Sequence, residues 1–322
     1  MIITKTPFRI SFTGGGTDIE DYYRAHGGAV VNTAIDKYIY ITVNKRFDES
    51  IRVSYAQTEI VDEVAQLRHD IVRVALQMVG IDGGVEITSI ADVPSGTGLG
   101  SSSSFTVGLL NALYTYQGYQ LDAEELAERA CRIEIDILGN PIGKQDQYAA
   151  AYGGLSYFQF QPNGKVLHQR IRISQRDRQR MDRKLVMLYT GIRRSANGIL
   201  REQKQNIADR MAALDFMKRQ ADEMYRELTQ NGFSPRFAQA LDEGWKRKRS
   251  LTASISSGDI DKLYETAMAA GAAGGKLLGA GGGGFLLFYC DEERQDALSE
   301  ALGLREMEFS LCPHGSRVVY FE

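Results

Sequence analysis

Pro94-Ser95-Gly96-Thr97-Gly98-Leu99-Gly100-Ser101-Ser102-Ser103-Ser104 is the stretch on which the reading of this chain turns. Before it, Val85 to Ile90 alternates with strand period; after it, the apolar run Ser104 to Tyr116 predicts a helix. Glycines at alternate positions let backbone N–H groups approach an anion with no Cβ in the way. A helix start adds unpaired N–H donors and a positive dipole end. The serines add hydroxyl donors, one of which could ligate Mg²⁺. No Gly-Lys-Ser/Thr follows, so this is not the P-loop, and the glycine spacing is not the dinucleotide fingerprint either. The alternative is a flexible linker, which has no reason to sit between a strand and an immediately apolar helix. The expectation is a phosphate cradle.

Upstream, Phe8, Ile10 and Phe12 alternate with Arg9 and Ser11, a strand that stops at Gly14-Gly15-Gly16. Further strands are expected in Ala29 to Asn44 and Ile51 to Tyr55, with a helix over Glu63 to Val79. Downstream, Asp122 with Glu125 three residues on has the form of a capping box opening a helix from Ala123 to Leu138. A hairpin is expected around Pro162-Asn163-Gly164. The charged run Gln175 to Lys184 serves as a boundary between domains 1–175 and 176–322. Beyond it come the strand Leu185 to Tyr189 and helices in Ser195 to Gln230, Pro235 to Ser256 and Ile260 to Ala270. The glycine-rich turn Gly279 to Gly284 then leads into the strand Phe285 to Tyr289. Helix Glu292 to Leu302 and strands Arg305 to Leu311 and Arg317 to Phe321 close the chain. The order suggests two α+β domains.

Two carboxylates stand out. At 100° per residue, Leu126, Ala127, Ala130, Cys131, Ile133, Ile137 and Leu138 share one arc of their helix, and Glu134 falls inside it. A buried carboxylate needs a cation, for which Mg²⁺ with substrate phosphates is suited; the alternatives are a buried salt bridge or a residue at a pocket edge. Asp146 follows the turn after Pro141, where it is either a helix cap or a reacting group. Arg193 and Arg194 at a strand-to-helix junction could meet a phosphate, or simply face solvent. Lys246-Arg247-Lys248-Arg249 reads as a solvated helix face.

Bulk composition narrows the field. With 322 residues there is room for two domains. A net charge of -3 gives no basic field for nucleic acid or anionic lipid. Three cysteines make a disulfide framework improbable and read as thiols of a reducing cytoplasm. The first residues lack a signal-peptide layout, and no apolar stretch reaches the roughly 20 residues that span a bilayer.

Taken together, Thr6-Pro7-Phe8-Arg9-Ile10-Ser11-Phe12-Thr13-Gly14-Gly15-Gly16-Thr17-Asp18, the segment Pro94 to Ser104, and Lys276-Leu277-Leu278-Gly279-Ala280-Gly281-Gly282-Gly283-Gly284-Phe285 resemble the three motifs of the GHMP kinases, in the right order and over nearly the whole chain. The resemblance implies an N-terminal domain with a left-handed βαβ crossover, a ferredoxin-like C-terminal domain and a site between them. It implies ATP on Pro94, Ser95, Gly96, Gly98, Gly100, Ser101, Ser102 and Ser103, and Mg²⁺ on Ser102 and Glu134. It makes Asp146 and Arg9 catalytic, and gives Gly15, Gly16, Thr17, Asp18, Gly281, Gly282 and Gly283 to the substrate. Galactokinase carries Glu-His where this chain has Gly15-Gly16, which makes room and removes two hydroxyl contacts. The first motif, Asp146-Gln147-Tyr148-Ala149 and Tyr189-Thr190-Gly191-Ile192-Arg193-Arg194-Ser195 look like the D-glycero-D-manno-heptose 7-phosphate kinases. The resemblance thus implies an enzyme phosphorylating a sugar phosphate at its anomeric hydroxyl, with Arg193 and Arg194 on the 7-phosphate; a cytoplasmic monomer or homodimer is the expectation beside it. Another anomeric sugar kinase, such as an L-fucose kinase, and a non-catalytic binding protein on the same fold stay open.

Overall fold

Strand period in the first residues becomes β1 (Ile2–Thr13), which runs antiparallel to β2 (Gly28–Lys45). In this computed structural model, residues 1–192, 198–199, 211–252 and 254–322 are described. Between the two strands lies α1 (Glu20–His26). The chain continues through β3 (Ile51–Ser54), β4 (Thr58–Val61), α2 (Asp70–Val79) and β5 (Val85–Ala91). The expected helix over 63–79 is split: Val64–Gln66 is a 3₁₀ turn, and His69 is extended before α2 starts. The far half of β2 pairs β5, and β3 runs parallel to β5, so α2 lies in a crossover connection.

Next come α3 (Ser101–Tyr116), α4 (Ala123–Cys131) and α5 (Gln145–Tyr152). The serines expected in a loop instead form the first turn of α3. Its Phe105-to-Tyr114 stretch is buried all round, as a helix apolar on every face must be. The capping box of α4 is present, with Glu125 N–H donating to Asp122 at 2.9 Å and Asp122 N–H to Glu125 at 3.1 Å. The helix does not continue as an α-helix to Leu138: Arg132–Ile137 is a π-helical turn. The hairpin of β6 (Leu155–Phe160) and β7 (Val166–Arg170) adds to the near half of β2.

The run Gln175–Lys184 is helix α6, capped by Ser174 and anchored by buried Met181. After it come β8 (Leu185–Tyr189), α7 (Met211–Gln230), α8 (Arg236–Arg249), α9 (Gly258–Ala269), β9 (Ala272–Leu277), β10 (Phe285–Cys290), α10 (Gln295–Leu302) and β11 (Arg305–Glu306). The expected strand to Leu311 pairs with β8 over those two residues only; Leu311 bridges to Ile35 of the first sheet. The second sheet is antiparallel with order β11-β8-β10-β9, that is 4-1-3-2 in chain order, which is the ferredoxin-like arrangement. The last strand, β12 (Arg317–Phe321), returns to pair with β1, so the first sheet holds both ends of the chain.

Period two in β10 explains how the lobes join. Phe285, Leu287 and Tyr289 belong to the large core shared with the first sheet; Leu286, Phe288 and Cys290 belong to a second core under α8 and α9. Phe12 packs edge-on against Phe237 of α8, with centroids 4.9 Å apart. The second sheet is therefore buried on both faces, and the loops at the seam between the lobes line the cavity described next.

Candidate active site

A cavity of about 350 Å³ lies at the seam, lined from both lobes. One wall is the cradle. Gly96, Gly98 and Gly100 have φ of 77°, 85° and 75°, which L side chains rarely adopt. Gly100 caps α3 with no side-chain hydrogen bond, and the first turn of α3 has no acidic residue. Its N–H groups are left without the usual capping oxygen, which suits them to an anion. Ser104 is turned away: its hydroxyl donates to the Pro7 carbonyl at 2.9 Å.

The second wall comes from β1 and α5. Arg9 grips Asp146 with two hydrogen bonds of 2.7 Å, Nε to Oδ1 and Nη2 to Oδ2, and donates Nη1 to the Gly98 carbonyl at 2.7 Å. The Arg9 N–H bonds the Leu99 carbonyl at 3.1 Å. One guanidinium thus ties the cradle to the carboxylate, a planar fork suited to both. Asp146 lies within the first turn of α5 and caps nothing, so the cap reading of it falls. Gly100, with its positive φ, packs tightly beside this pair: a Cβ there would lie 3.3 Å from both Arg9 and Asp146.

Asp18 is buried in the loop after β1. Its oxygens accept from the N–H groups of Gly16 at 2.9 Å and Gln145 at 3.1 Å. Burial nevertheless pushes its carboxyl above the usual range. Gly143 packs so closely that a Cβ would lie 2.0 Å from Oδ2. Beside it, a Cβ on Gly15 or Gly16 would meet nothing nearer than 3.5 Å, so the space where side chains could have stood is open.

Glu134 is 0% exposed. The Ser102 hydroxyl donates to Oε1 at 2.7 Å and Gln147 Nε2 to Oε2 at 2.8 Å. Burial raises its carboxyl above the ordinary range. No cation lies within salt-bridge distance of it among the described residues, so the salt-bridge alternative is not what the structure presents. One carboxylate and one hydroxyl at the cradle form a donor set suited to Mg²⁺, which commonly takes one or two carboxylates plus phosphate oxygens. Glu134 lies in the π-helical turn, and such turns frequently occur at functional sites.

The C-terminal lobe closes the cavity. The glycine turn packs backbone to backbone on the cradle: a Cβ on Gly98 would lie 2.7 Å from the Leu278 carbonyl, and one on Gly284 2.3 Å from that of Thr97. Lys276 of β9 reaches across, donating Nζ to the carbonyls of Ser11 at 2.7 Å and Phe12 at 2.8 Å. Lys248 of α8 also lines the cavity, its Nζ donating to the Gly279 carbonyl. The run 246–249 is therefore not wholly a solvated face. Lys246 pairs with Asp242 and Arg249 with Asp261, but Lys248 points inward.

Among the expected residues, Arg9, Gly15, Gly16, Asp18, Gly96, Gly98, Gly100, Ser101, Ser102, Ser103, Glu134, Asp146, Gly281 and Gly283 all line this cavity. Pro94, Ser95, Thr17 and Gly282 do not. Thr17 instead pins the loop by donating to the Gly14 carbonyl at 2.8 Å, and the Gly282 N–H bonds the Ile255 carbonyl at 2.8 Å. Arg193 and Arg194 lie outside the described residues. Gln145, Gln147, Lys248 and Lys276 were not expected as site residues. A signal existed for one of them, because Leu241, Trp245 and Lys248 follow i, i+4, i+7 on the buried face of α8.

Residues 64–154 match the GHMP kinases N terminal domain and residues 225–307 the GHMP kinases C terminal domain. A D-glycero-alpha-D-manno-heptose 7-phosphate kinase of Campylobacter jejuni is 32% identical over 98% of this chain and 97% of its own length. An L-fucokinase/L-fucose-1-P guanylyltransferase of Bacteroides fragilis is 26% identical, over 81% of this chain but 32% of that protein. Among solved structures, a D-glycero-D-manno-heptose 1-phosphate kinase from Bacteroides thetaiotaomicron superposes over the whole of both chains with a TM-score of 0.82 at 25% identity. With both domains matched in chain order and a full-length relative at this identity, the chain belongs to the GHMP kinases, a family of ATP-dependent phosphotransferases, and is a sugar kinase of that family.

Proposed function

We propose that this enzyme transfers the γ-phosphoryl group of ATP to the anomeric hydroxyl of D-glycero-D-manno-heptose 7-phosphate. The product is heptose 1,7-bisphosphate, an intermediate suited to nucleotide-activated heptose synthesis. The observation that carries this reading is the arrangement around Asp146: a carboxylate held on both oxygens by Arg9, at the end of the cradle, next to the open space at Gly15 and Gly16 and the buried Asp18. The Campylobacter jejuni relative supports the choice of sugar.

Ser101 to Ser103 and the bare N–H groups of the cradle would bind the nucleotide phosphates, and Ser102 with Glu134 would hold Mg²⁺. Bound Mg²⁺ supplies positive charge against which the phosphates' negative charge is balanced. Asp18 and its neighbouring backbone orient the sugar. Asp146 accepts a hydrogen bond from the anomeric hydroxyl and takes or guides its proton as the new O–P bond forms. The bond from the γ-phosphorus to the bridging oxygen breaks, and ADP leaves. Arg9 fixes Asp146 and adds positive charge beside the reacting oxygens. Phosphoryl transfer depends mainly on such positioning and electrostatics.

A second reading, an L-fucose kinase, draws on the Bacteroides fragilis relative. The Bacteroides thetaiotaomicron protein, moreover, is named for a heptose 1-phosphate. One assay separates these: sugar-dependent ADP release with heptose 7-phosphate, free heptose, heptose 1-phosphate and L-fucose, followed by phosphorus NMR of the product. The proposal expects heptose 7-phosphate to be preferred and the new phosphate on C1. Equal turnover of the unphosphorylated sugars, or a phosphate placed elsewhere, would sink it.

A further inference from the structure

Lys248, like Lys276, is a cavity cation to which the mechanism above gives no task. It sits in the last turn of α8, 7% exposed, with Nζ donating to the Gly279 carbonyl. An ammonium has three donors, and no carboxylate lies within salt-bridge distance of this one among the described residues. The charged groups facing it come from three other segments: Arg9 of β1, Asp18 of the following loop and Asp146 of α5, with Lys276 of β9 near enough to be repelled.

Each of the others already has partners. Arg9 is engaged with Asp146, and Lys276 with two carbonyls of β1. Asp18 accepts two backbone N–H groups. Among the described cavity residues Lys248 alone is a buried charge with one neutral partner, and burying a charge without a counter-charge is costly. The same helix turn shows the contrast, since its exposed cations Lys246 and Arg249 each have a carboxylate. A cavity cation in this state is suited to an anion that enters with a ligand. Its charged neighbours are those of the sugar side, Asp18 and Asp146.

We infer that Lys248 binds a phosphate group at the sugar side of the cavity, as a substrate-binding residue supplied by the C-terminal lobe. This rests on the reading that a sugar phosphate is phosphorylated here, which brings two phosphates to that side: the one the sugar carries and the one in transfer.

The test compares wild type with Lys248→Met, which keeps the aliphatic stem. Losing one charged hydrogen bond should lower kcat/KM for heptose 7-phosphate roughly 10- to 100-fold. If the sugar's own phosphate is bound, the loss appears in KM and the preference for heptose 7-phosphate over free heptose shrinks by the same factor. If the transferred phosphoryl is bound, kcat falls alike with both sugars. Values within about twofold of wild type for both sugars, in a variant that melts no lower than wild type, overturn the inference. Wild-type turnover of heptose 7-phosphate reports separately on the substrate reading: were another sugar preferred, Lys248 would be judged on kcat with that sugar. Should the variant fold poorly, a crystal structure of the wild type with heptose 7-phosphate and a non-hydrolysable ATP analogue decides. A phosphate oxygen in hydrogen-bond reach of Nζ supports the inference, and its absence overturns it.

Discussion

The two carboxylates at the ends of the cavity are held in opposite ways. Asp146 has its charge matched, oxygen for oxygen, by Arg9. Glu134 is completely buried, and among the described residues its hydrogen bonds come from the neutral side chains of Ser102, Gln147 and Ser103. The first end is assembled before any ligand arrives; the second carries a charge that a ligand must balance. A paired buried ion is costly to break, because its partner is left stranded, whereas an unpaired one costs the fold something while it stays charged. The same kind of substitution should therefore have opposite effects on stability at the two ends, though both remove activity.

The largest effect is expected at the matched end. Asp146→Asn should reduce kcat by roughly 10³-fold, in the range for a group acting directly on a proton in transfer. It should also lower the melting midpoint, because Arg9 loses its counter-charge. Nucleotide affinity should stay within about twofold, since the cradle is untouched. Steady-state ADP release and a nucleotide titration check both halves. Wild-type-like turnover would remove Asp146 from the mechanism and leave the Arg9 pair as a structural tie.

At the unmatched end, Glu134→Gln should raise the Mg²⁺ concentration for half-maximal rate by about 10- to 100-fold, a loss of the size seen when metal-site partners are removed. Without metal, the same variant should melt at or above the wild-type temperature, because an isosteric neutral amide replaces a buried carboxylate. A fall in both properties would mean that Glu134 already has its charge compensated in the fold, and the contrast between the two ends would fail.

Much of this was legible in the sequence, and the failures have physical causes. The cradle and the apolar arc around Glu134 could be read because glycine pattern and helical period are local. The switch from α to π geometry at Arg132 was not, because it depends on packing around the site. The return of Arg317–Phe321 to β1 was also invisible: strand pairing over some three hundred residues leaves no local mark. Lys248 was misread because its neighbours in sequence are charged, although its neighbours at helical spacing, Leu241 and Trp245, are buried.

A smaller effect tests the seam between the ends. Gly98 has φ of 85° and would place a Cβ 2.7 Å from the Leu278 carbonyl. Gly98→Ala should cost about 1–3 kcal/mol of stability through backbone strain and separation of the two glycine segments. Chemical denaturation measures it. An unchanged midpoint would mean that the lobes are not clamped at this contact.

The smallest effect concerns the two buried lysines. Lys276 is held by two carbonyls and Lys248 by one, and burial pushes the Lys248 ammonium down to about 8 from an ordinary 10.5. Below pH 8 both folded and unfolded chains hold this proton, and the fold bears the full cost of the buried charge. Between pH 8 and 10.5 the folded chain releases the proton first, so the unfolded chain binds more protons and stability rises with pH. Methionine has no proton to lose. Lys248→Met should therefore be more stable than wild type by about 1–2 kcal/mol near pH 7, after the lost bond to Gly279 is subtracted. The gap should narrow as pH rises through that window. Burial and the neighbouring Lys248 charge push the Lys276 ammonium down; the variant relieves it of that repulsion, which acts in the same direction. A gap that does not change with pH would mean that Lys248 is not a strained cation, and would remove the reason to expect it to await a phosphate.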